Sequence, residues 1–165
     1  MVRSDLIKRD NMVYMKKLVS NSLEETRKIA VGWLRDISTK YDNTETNEAL
    51  LIGLSGHLGA GKTAFVKMVA KELGVKEEIT SPTFVLMKIY EIADVGHLQW
   101  KHLVHVDAYR LERPEELEAL RFEDVIGDKN NLVLVEWPEQ VGLEKFGEKQ
   151  RLTFEMKDGV CTILM

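Results

Sequence analysis

A glycine-rich segment, Gly56-His-Leu-Gly-Ala-Gly-Lys-Thr63, restricts the possible folds of this chain more than any other part of its sequence. It has the pattern Gly-x-x-x-x-Gly-Lys-Thr. An apolar run from Ala49 to Leu54 precedes it, and the apolar residues between Phe65 and Leu73 then recur at the spacing of one helix face. A strand, a glycine loop and a helix in this order form the context that a phosphate-binding loop (P-loop) requires. The segment therefore predicts a nucleotide site.

Main-chain groups are expected to hold most of the bound phosphate. The N–H groups of such a loop point into one concavity, and the following helix adds the positive end of its dipole. Side chains at the loop glycines would crowd this approach. Lys62 is placed to reach the terminal phosphates, and the Thr63 hydroxyl is placed to bind Mg²⁺. The predicted nucleotide contacts in this segment are Gly56, His57, Leu58, Gly59, Ala60, Gly61, Lys62 and Thr63.

The other apolar patterns predict an α/β protein with the three-layer P-loop NTPase fold. We expect a central, mostly parallel sheet that also contains antiparallel strands and a C-terminal hairpin. One helix is predicted to begin after the possible caps at 20–22 and to end before Ser38. Strands are predicted near 18–19 and at 49–54, 84–92, 103–106, 132–135, 151–156 and 160–164. Residues 1–17 have two interpretations, a loose extension or the approach to the first strand.

The length and composition of the chain limit what it can do. With 165 residues, it is predicted to form one domain over residues 1–165. A formal net charge of −4 argues against direct binding of nucleic acid, so any role with RNA is expected to run through a partner. Cys161 is the only cysteine, which excludes an internal disulfide. No apolar run reaches the roughly eighteen residues of a membrane span and no signal-peptide core is present, so we expect a cytoplasmic protein without membrane association.

A nucleotide hydrolase also needs carboxylates that order Mg²⁺ and a water molecule. Asp107 follows an apolar strand within His105-Val-Asp-Ala-Tyr-Arg110, and Glu136 ends another within Val135-Glu-Trp-Pro138. Either acid could face Mg²⁺ directly or through water, and their spacing does not rank them; a solvated strand end is the alternative for both. Thr83 lies in a loop after the P-loop helix, where switch segments of nucleotide hydrolases approach the metal.

The histidines give no sign of a zinc site, because none has metal-ligand spacing with cysteine or acids. His105 is expected to pack or to form a hydrogen bond beside Asp107. The Asn-Lys-x-Asp pattern that reads guanine is absent, which favours ATP over GTP.

Four of these motifs, taken together, resemble the TsaE (YjeE) family of bacterial ATPases. They are the loop 56–63, Ser81-Pro-Thr83, His105-x-Asp-x-Tyr-Arg110 and Glu136-Trp-Pro138, and Pro114-Glu-Glu-Leu117 adds to the similarity. The resemblance runs from near Ser20 to the C-terminus. It implies a role in forming N6-threonylcarbamoyladenosine beside the anticodon of tRNA. In that family the ATPase binds a TsaD–TsaB complex, which transfers the group to tRNA, and is needed for repeated cycles.

The resemblance also implies roles for individual residues. Lys62 contacts phosphate, Thr63 and Glu136 bind Mg²⁺, Thr83 belongs to a switch-like loop, and Asp107 supports the metal or the attacking water.

Three further positions have open interpretations. A Glu-Thr pair near the adenine in the family corresponds loosely to Glu25 and Thr26, which fit a plain amphipathic helix equally well. Trp137 is placed either beside the site or in the core. His57 stands where the family has an acid, so its side chain has no assigned role.

Two other functions are compatible with the same loop. One is a small P-loop kinase acting on a metabolite, although such kinases carry an arginine-bearing lid in a later helical segment, where this chain has a predicted hairpin. The other is a non-enzymatic binding module in which ATP acts only as a shape switch.

Overall fold

The computed structural model describes the backbone of residues 3–9, 13–41, 46–82, 85–93 and 99–165, and the side chains from residue 16 onward within these ranges. The strands are β1 Arg3–Arg9, β2 Val13–Ser20, β3 Leu50–Gly56, β4 Met87–Glu91, β5 His102–Asp107, β6 Asn131–Glu136, β7 Gln150–Lys157 and β8 Val160–Leu164. The helices are α1 Leu23–Lys40, α2 Lys62–Glu72, α3 Glu115–Glu118 and α4 Phe122–Ile126, with 3₁₀ helices at Pro138–Gln140 and Leu143–Phe146. Across the described part of the chain, no helix combines the length and apolar character needed to cross a lipid bilayer.

All eight strands form one sheet, in the order β1-β2-β8-β7-β3-β6-β5-β4. The four strands β7, β3, β6 and β5 pair in parallel. The pairings towards both edges of the sheet are antiparallel. The predicted α/β P-loop fold is confirmed. Its sheet is mixed rather than mostly parallel, because the parallel pairings are confined to the centre and the pairings between the other described strands are antiparallel.

Strands β3, β5 and β6 are buried on both faces, which explains their nearly continuous apolar sequences. Side chains that alternate along β3 enter two separate cores: Ile52 and Leu54 join one with α1 and α2, whereas Leu51 joins the other with α3 and α4. Strand β6 divides in the same way, because Leu134 faces the first core and Val135 the second. Helices on both faces of one sheet give the three layers that the sequence predicted.

Helix α1 begins as its sequence predicts. The Ser22 side chain is the N-cap and accepts a hydrogen bond from the Glu25 backbone N–H, which satisfies one of the free donors of the first turn. The predicted end before Ser38 is wrong, because the helix continues to Lys40. Polar residues in this last turn lie on the exposed face and do not interrupt the backbone hydrogen bonds.

The two chain ends meet in the sheet. Residues 1–17 had two interpretations from the sequence. In the structure, residues 3–9 and 13–20 form the antiparallel strands β1 and β2, and β2 also pairs with β8. The predicted C-terminal hairpin is confirmed, with Asp158 and Gly159 at positive φ between β7 and β8. Such a two-residue turn matches the twist of the strands that it joins.

Strand β4 is shorter than the predicted strand 84–92. It begins at Met87 and ends at Glu91. Leu86, immediately before it, has a φ of 64°, in the left-handed region, and an extended strand cannot pass through that conformation. Phe84, at the predicted start, lies outside the described residues.

Candidate nucleotide-binding site

The P-loop connects the end of β3 to the start of α2, as its motif predicts. Gly61 is the N-cap of α2 with a φ of 104°, and Gly56 has a φ of 137°; glycine adopts both values without strain. A Cβ at Gly56 would lie 2.4 Å from the carbonyl oxygen of Phe154 on β7. Contact with the neighbouring strand therefore already excludes a side chain at Gly56, a reason different from the phosphate crowding predicted from the sequence.

The P-loop rests on the C-terminal hairpin. The Cys161 thiol on β8 donates to the Ala60 carbonyl oxygen at a distance of 3.8 Å. Burial raises the pKa of this thiol above its ordinary value. Cys161 is therefore a packing residue beneath the loop.

A cleft of about 340 Å³ opens over the P-loop. The residues that line it are Leu58, Gly59, Ala60, Gly61, Lys62, Thr63, Ala64, Ser81, Asp107, Tyr109 and Glu136. They come from the P-loop, the first turn of α2, the segment after α2 and the carboxyl ends of β5 and β6. The fold thus brings the loop residues 58–63 together with both strand-end acids, which are far away in the sequence.

Lys62 is buried at the start of α2, with 4 % of its surface exposed. Its ammonium nitrogen Nζ donates to the carbonyl oxygens of Gly56, at 2.6 Å, and His57, at 3.0 Å. The same nitrogen lies 4.0 Å from the centroid of the Trp137 ring. Burial lowers the pKa of Lys62, and nearby carboxylates, Glu136 foremost, oppose that shift. The carbonyl oxygens and the Trp137 ring therefore hold the Lys62 amino group at the cleft, where phosphate would compete for it.

Glu136 is the acid that contacts the predicted metal-binding hydroxyl. Its Oε1 accepts a hydrogen bond from Thr63 Oγ1 at 2.7 Å and lies 2.8 Å from His105 Nε2. The expected burial and hydrogen bonding of His105 beside Asp107 are therefore confirmed, and the partner of the hydrogen bond is Glu136. His105 and Asp107 project from the same face of β5, but the imidazole points across to β6.

Asp107 lies beside Glu136, because the two residues are paired in register at the ends of β5 and β6. Its Oδ1 accepts from the Tyr109 backbone N–H at 3.0 Å, and its Oδ2 accepts from Ser81 Oγ at 3.1 Å. The loop after α2 therefore reaches the acid, as predicted for a switch-like segment. Thr83, the member of that loop chosen from the sequence, lies outside the described residues, and its role stays a prediction.

An aromatic pair at the cleft was only partly anticipated. The rings of Tyr109 and Trp137 are 5.1 Å apart, and Tyr109 remains half-exposed where it lines the cleft. Trp137 has a φ of 60°, and its ring contacts both Tyr109 and Lys62. Trp137 therefore fits both interpretations drawn from the sequence, because it packs against the core and also contacts Lys62 at the site. Sequence reasoning missed Tyr109, although its place two residues after Asp107 was a usable signal.

Glu25 and Thr26, the residues assigned to the adenine side, do not line this cleft. The Thr26 hydroxyl bonds Ser20 Oγ at 2.7 Å and the Ser22 carbonyl oxygen at 3.2 Å. The Glu25 carboxylate accepts a hydrogen bond from the Asn21 backbone N–H at 2.9 Å. This hydrogen bond is the main reason why the pKa of Glu25 is lowered to about 2. Both side chains are engaged at the start of α1, and contact of Thr26 with a nucleotide stays a prediction.

The donor set at the cleft suits a magnesium nucleotide. Mg²⁺ prefers oxygen ligands and usually binds one or two protein groups together with phosphate oxygens and water. Thr63 and Glu136 offer such oxygens side by side, and Lys62 and the α2 N-terminus offer positive charge to phosphate. Among the described residues there is no group of three or more His, Cys, Asp or Glu side chains that could hold a metal ion, and this mode of binding does not need one.

This chain is similar to known proteins in sequence and in fold. The model of the family "Threonylcarbamoyl adenosine biosynthesis protein TsaE" matches residues 20–161. The tRNA threonylcarbamoyladenosine biosynthesis protein TsaE of Rickettsia felis is 34 % identical over 147 residues, which cover 82 % of this chain and 76 % of that protein. The protein of the same name from Streptomyces coelicolor is 37 % identical over 110 residues, which cover 66 % of this chain and 70 % of that protein. The crystal structure of Bacillus subtilis YdiB matches 94 % of this chain and 86 % of its own, with a TM-score of 0.62 and 25 % identity.

Proposed function

Because this chain belongs to the TsaE family of threonylcarbamoyl adenosine biosynthesis proteins, we propose that it is a Mg²⁺-dependent ATPase required for threonylcarbamoyladenosine modification of tRNA. It acts with a TsaD–TsaB complex. The observation that carries this proposal is the cleft over the P-loop, where the buried Lys62 ammonium, the Thr63–Glu136 hydrogen bond and Asp107 meet.

Each residue of the cleft has one task in the proposal. The backbone of residues 56–61 and the N-terminus of α2 bind the phosphates of ATP. Lys62 exchanges the carbonyl oxygens of Gly56 and His57 for the terminal phosphates. Thr63 and Glu136 hold Mg²⁺. Thr83 senses the terminal phosphate from the switch-like loop.

Asp107 acts on the attacking water or on water bound to the metal. Hydrogen bonds from the Tyr109 backbone N–H and from Ser81 Oγ help to fix the carboxylate at the cleft. Mg²⁺, when bound, supplies neutralisation of phosphate charge and alignment of the phosphate oxygens. The protein contributes position and electrostatics, which is how phosphoryl transfer is mostly catalysed.

The partner complex, and not this chain, meets tRNA in the proposal. A net charge of −4 gives weak attraction for a polyanion, since such binding depends on clustered Lys and Arg. We place the protein in the cytoplasm, where the modification of tRNA takes place.

ATP hydrolysis by the purified chain with Mg²⁺, measured alone and with the matching TsaD–TsaB complex, tests the proposal. We expect weak turnover that the complex stimulates. Lys62→Ala should abolish it, because a charge-assisted phosphate contact worth about 1.5–3 kcal/mol is lost. Lys67→Ala, an exposed lysine on the same helix, is the matched control and should behave as wild type.

Three results would contradict this assignment. Unchanged hydrolysis in Lys62→Ala would exclude this cleft as the ATPase site. Clear basal turnover without stimulation, accompanied by phosphoryl transfer to a small molecule, would favour a metabolite kinase. Tight ATP binding without turnover, even with the complex present, would favour a nucleotide-gated binding module.

A further inference from the structure

His105 is a fully buried histidine that contacts the site from below. It lies in the middle of β5 with none of its side chain exposed. Its Nε2 is 2.8 Å from Glu136 Oε1. Residue 105 is paired in register with Leu134, so the contact runs diagonally to the residue two positions further along β6, a distance that a long side chain can span.

The surroundings of the ring fix its tautomer. His105 Nδ1 is buried and has no hydrogen-bond partner within the described part of the chain. A proton on Nδ1 would leave a buried N–H without an acceptor, and the Nε2 lone pair would face the carboxylate. A ring with its proton on Nε2 and none on Nδ1 avoids both costs, so His105 donates to Glu136.

Two donors therefore converge on a single oxygen of Glu136. Oε1 accepts from Thr63 Oγ1 at 2.7 Å and from His105 Nε2. For Oε2, the described residues provide no hydrogen-bond donor. The carboxylate is thus held by one oxygen and keeps the other available, while the residue itself lines the cleft.

We propose that His105 is a positioning residue that fixes the Glu136 carboxylate for Mg²⁺. This inference rests on the proposed role of Glu136 as a metal ligand. An imidazole N–H suits the task, because it donates to one carboxylate oxygen and leaves the other oxygen for the cation. Groups that orient metal ligands in this way typically contribute 10- to 100-fold to metal affinity or activity.

Binding of a fluorescent ATP analogue to the full chain, titrated with Mg²⁺ and repeated in EDTA, tests the inference. Glu136→Gln should weaken the Mg²⁺ dependence. His105→Leu, which removes the donor, should raise the Mg²⁺ concentration for half-maximal effect by about 10- to 100-fold and leave binding in EDTA unchanged. His105→Gln keeps an N–H near the same position and should restore most of the Mg²⁺ dependence.

His102→Gln is the matched control, because His102 is on the same strand but contacts Asn131, 3.1 Å away, at the other end of β5. The His102→Gln variant should need the same Mg²⁺ concentration for half-maximal effect as the wild type. Nitrogen-15 NMR of the wild-type imidazoles adds a readout that needs no variant, and it should place the His105 proton on Nε2.

The outcomes separate the two levels of inference. A Mg²⁺ dependence that changes in Glu136→Gln but not in His105→Leu would overturn the positioning role alone. No change in Glu136→Gln would overturn the metal role of Glu136, and the inference with it. If His105→Leu does not fold, a proton found on Nδ1 would still overturn the inference, and one on Nε2 with recovery in His105→Gln would support it.

Discussion

The ammonium nitrogen of Lys62 lies 4.0 Å from the centroid of the Trp137 ring, and it also donates to two carbonyl oxygens of the P-loop. The P-loop lysine therefore has protein partners that a bound phosphate would replace. Cation–π contacts of this kind are worth about 0.5–2 kcal/mol, a cost that a charge-assisted phosphate contact can offset.

Nucleotide binding should accordingly change the fluorescence of Trp137. When phosphate draws the Lys62 ammonium away from the ring, the local field at the indole changes. We expect a saturable change on addition of ATP, absent in Trp137→Phe. Trp33 and Trp100 are buried in the core and serve as the constant background. A wild-type signal that persists in Trp137→Phe would show that the ring does not report on the cleft.

Removal of the Thr63 hydroxyl should weaken Mg²⁺-dependent ATP binding. Thr63→Val keeps the side-chain shape but deletes both the predicted metal ligand and one of the donors to Glu136. We expect a loss of at least about tenfold in the Mg²⁺-dependent affinity, measured by calorimetry with and without Mg²⁺. Thr63→Ser retains the hydroxyl and should bind nearly as wild type; equal loss in both variants would point to packing instead.

A methyl group at Gly56 should destabilise the fold. Its Cβ would lie 2.4 Å from the Phe154 carbonyl oxygen, and overpacking of this kind costs about 1–3 kcal/mol. Gly32→Ala is the matched control, because a Cβ there meets nothing within 4 Å and the position is inside α1, where alanine should stabilise by about 0.5–1 kcal/mol. The free energy of unfolding of both variants can be measured by denaturant unfolding. Equal stability of the two variants would contradict the packing argument.

The Glu25 carboxylate should stabilise the start of α1 in a pH-dependent way. Its pKa is lowered from 4.5 to about 2, chiefly by the Asn21 backbone N–H. A lowered pKa in the folded state means that the contribution is fully present above the ordinary value and is lost as the pH falls through the folded value. Glu25→Gln should thus lower the melting temperature at pH 7, and the difference should shrink between about pH 4.5 and 2.

The matched control for this titration is Glu24→Gln, an exposed residue in the same first turn. This variant should lower the melting temperature less, because Glu24 forms an exposed 3.7 Å ion pair with Arg27 on the helix surface, and such pairs contribute little to stability. A pH-independent difference between Glu25→Gln and wild type would show that lost packing, and not the charge, is responsible.

Local patterns were sufficient for much of the fold and for most of the cleft. The P-loop, the strand ends with Asp107 and Glu136, and the hairpin around Asp158 are each specified by a few neighbouring residues with fixed periodicity or turn chemistry. Such patterns predict the local structure even when the distant residues that pack against it are not known.

Other features depend on register between distant strands, which no local pattern encodes. The hydrogen bond from His105 to Glu136 exists because β5 and β6 are aligned with Asp107 opposite Glu136. Pairing of residues 17–20 with β8 likewise depends on a partner more than a hundred positions away. The end of α1 was misplaced for a different reason, since polar residues on an exposed face do not end a helix.

The contact between Cys161 and Ala60 has a consequence for biosynthesis. Strand β8 supports the P-loop and also joins β7 to β2, so it completes both the nucleotide cleft and the sheet. Folding during translation usually proceeds from the N-terminal side. Residues 160–164 leave the ribosome after the phosphate-binding loop, so we expect the loop to gain this support only late in synthesis.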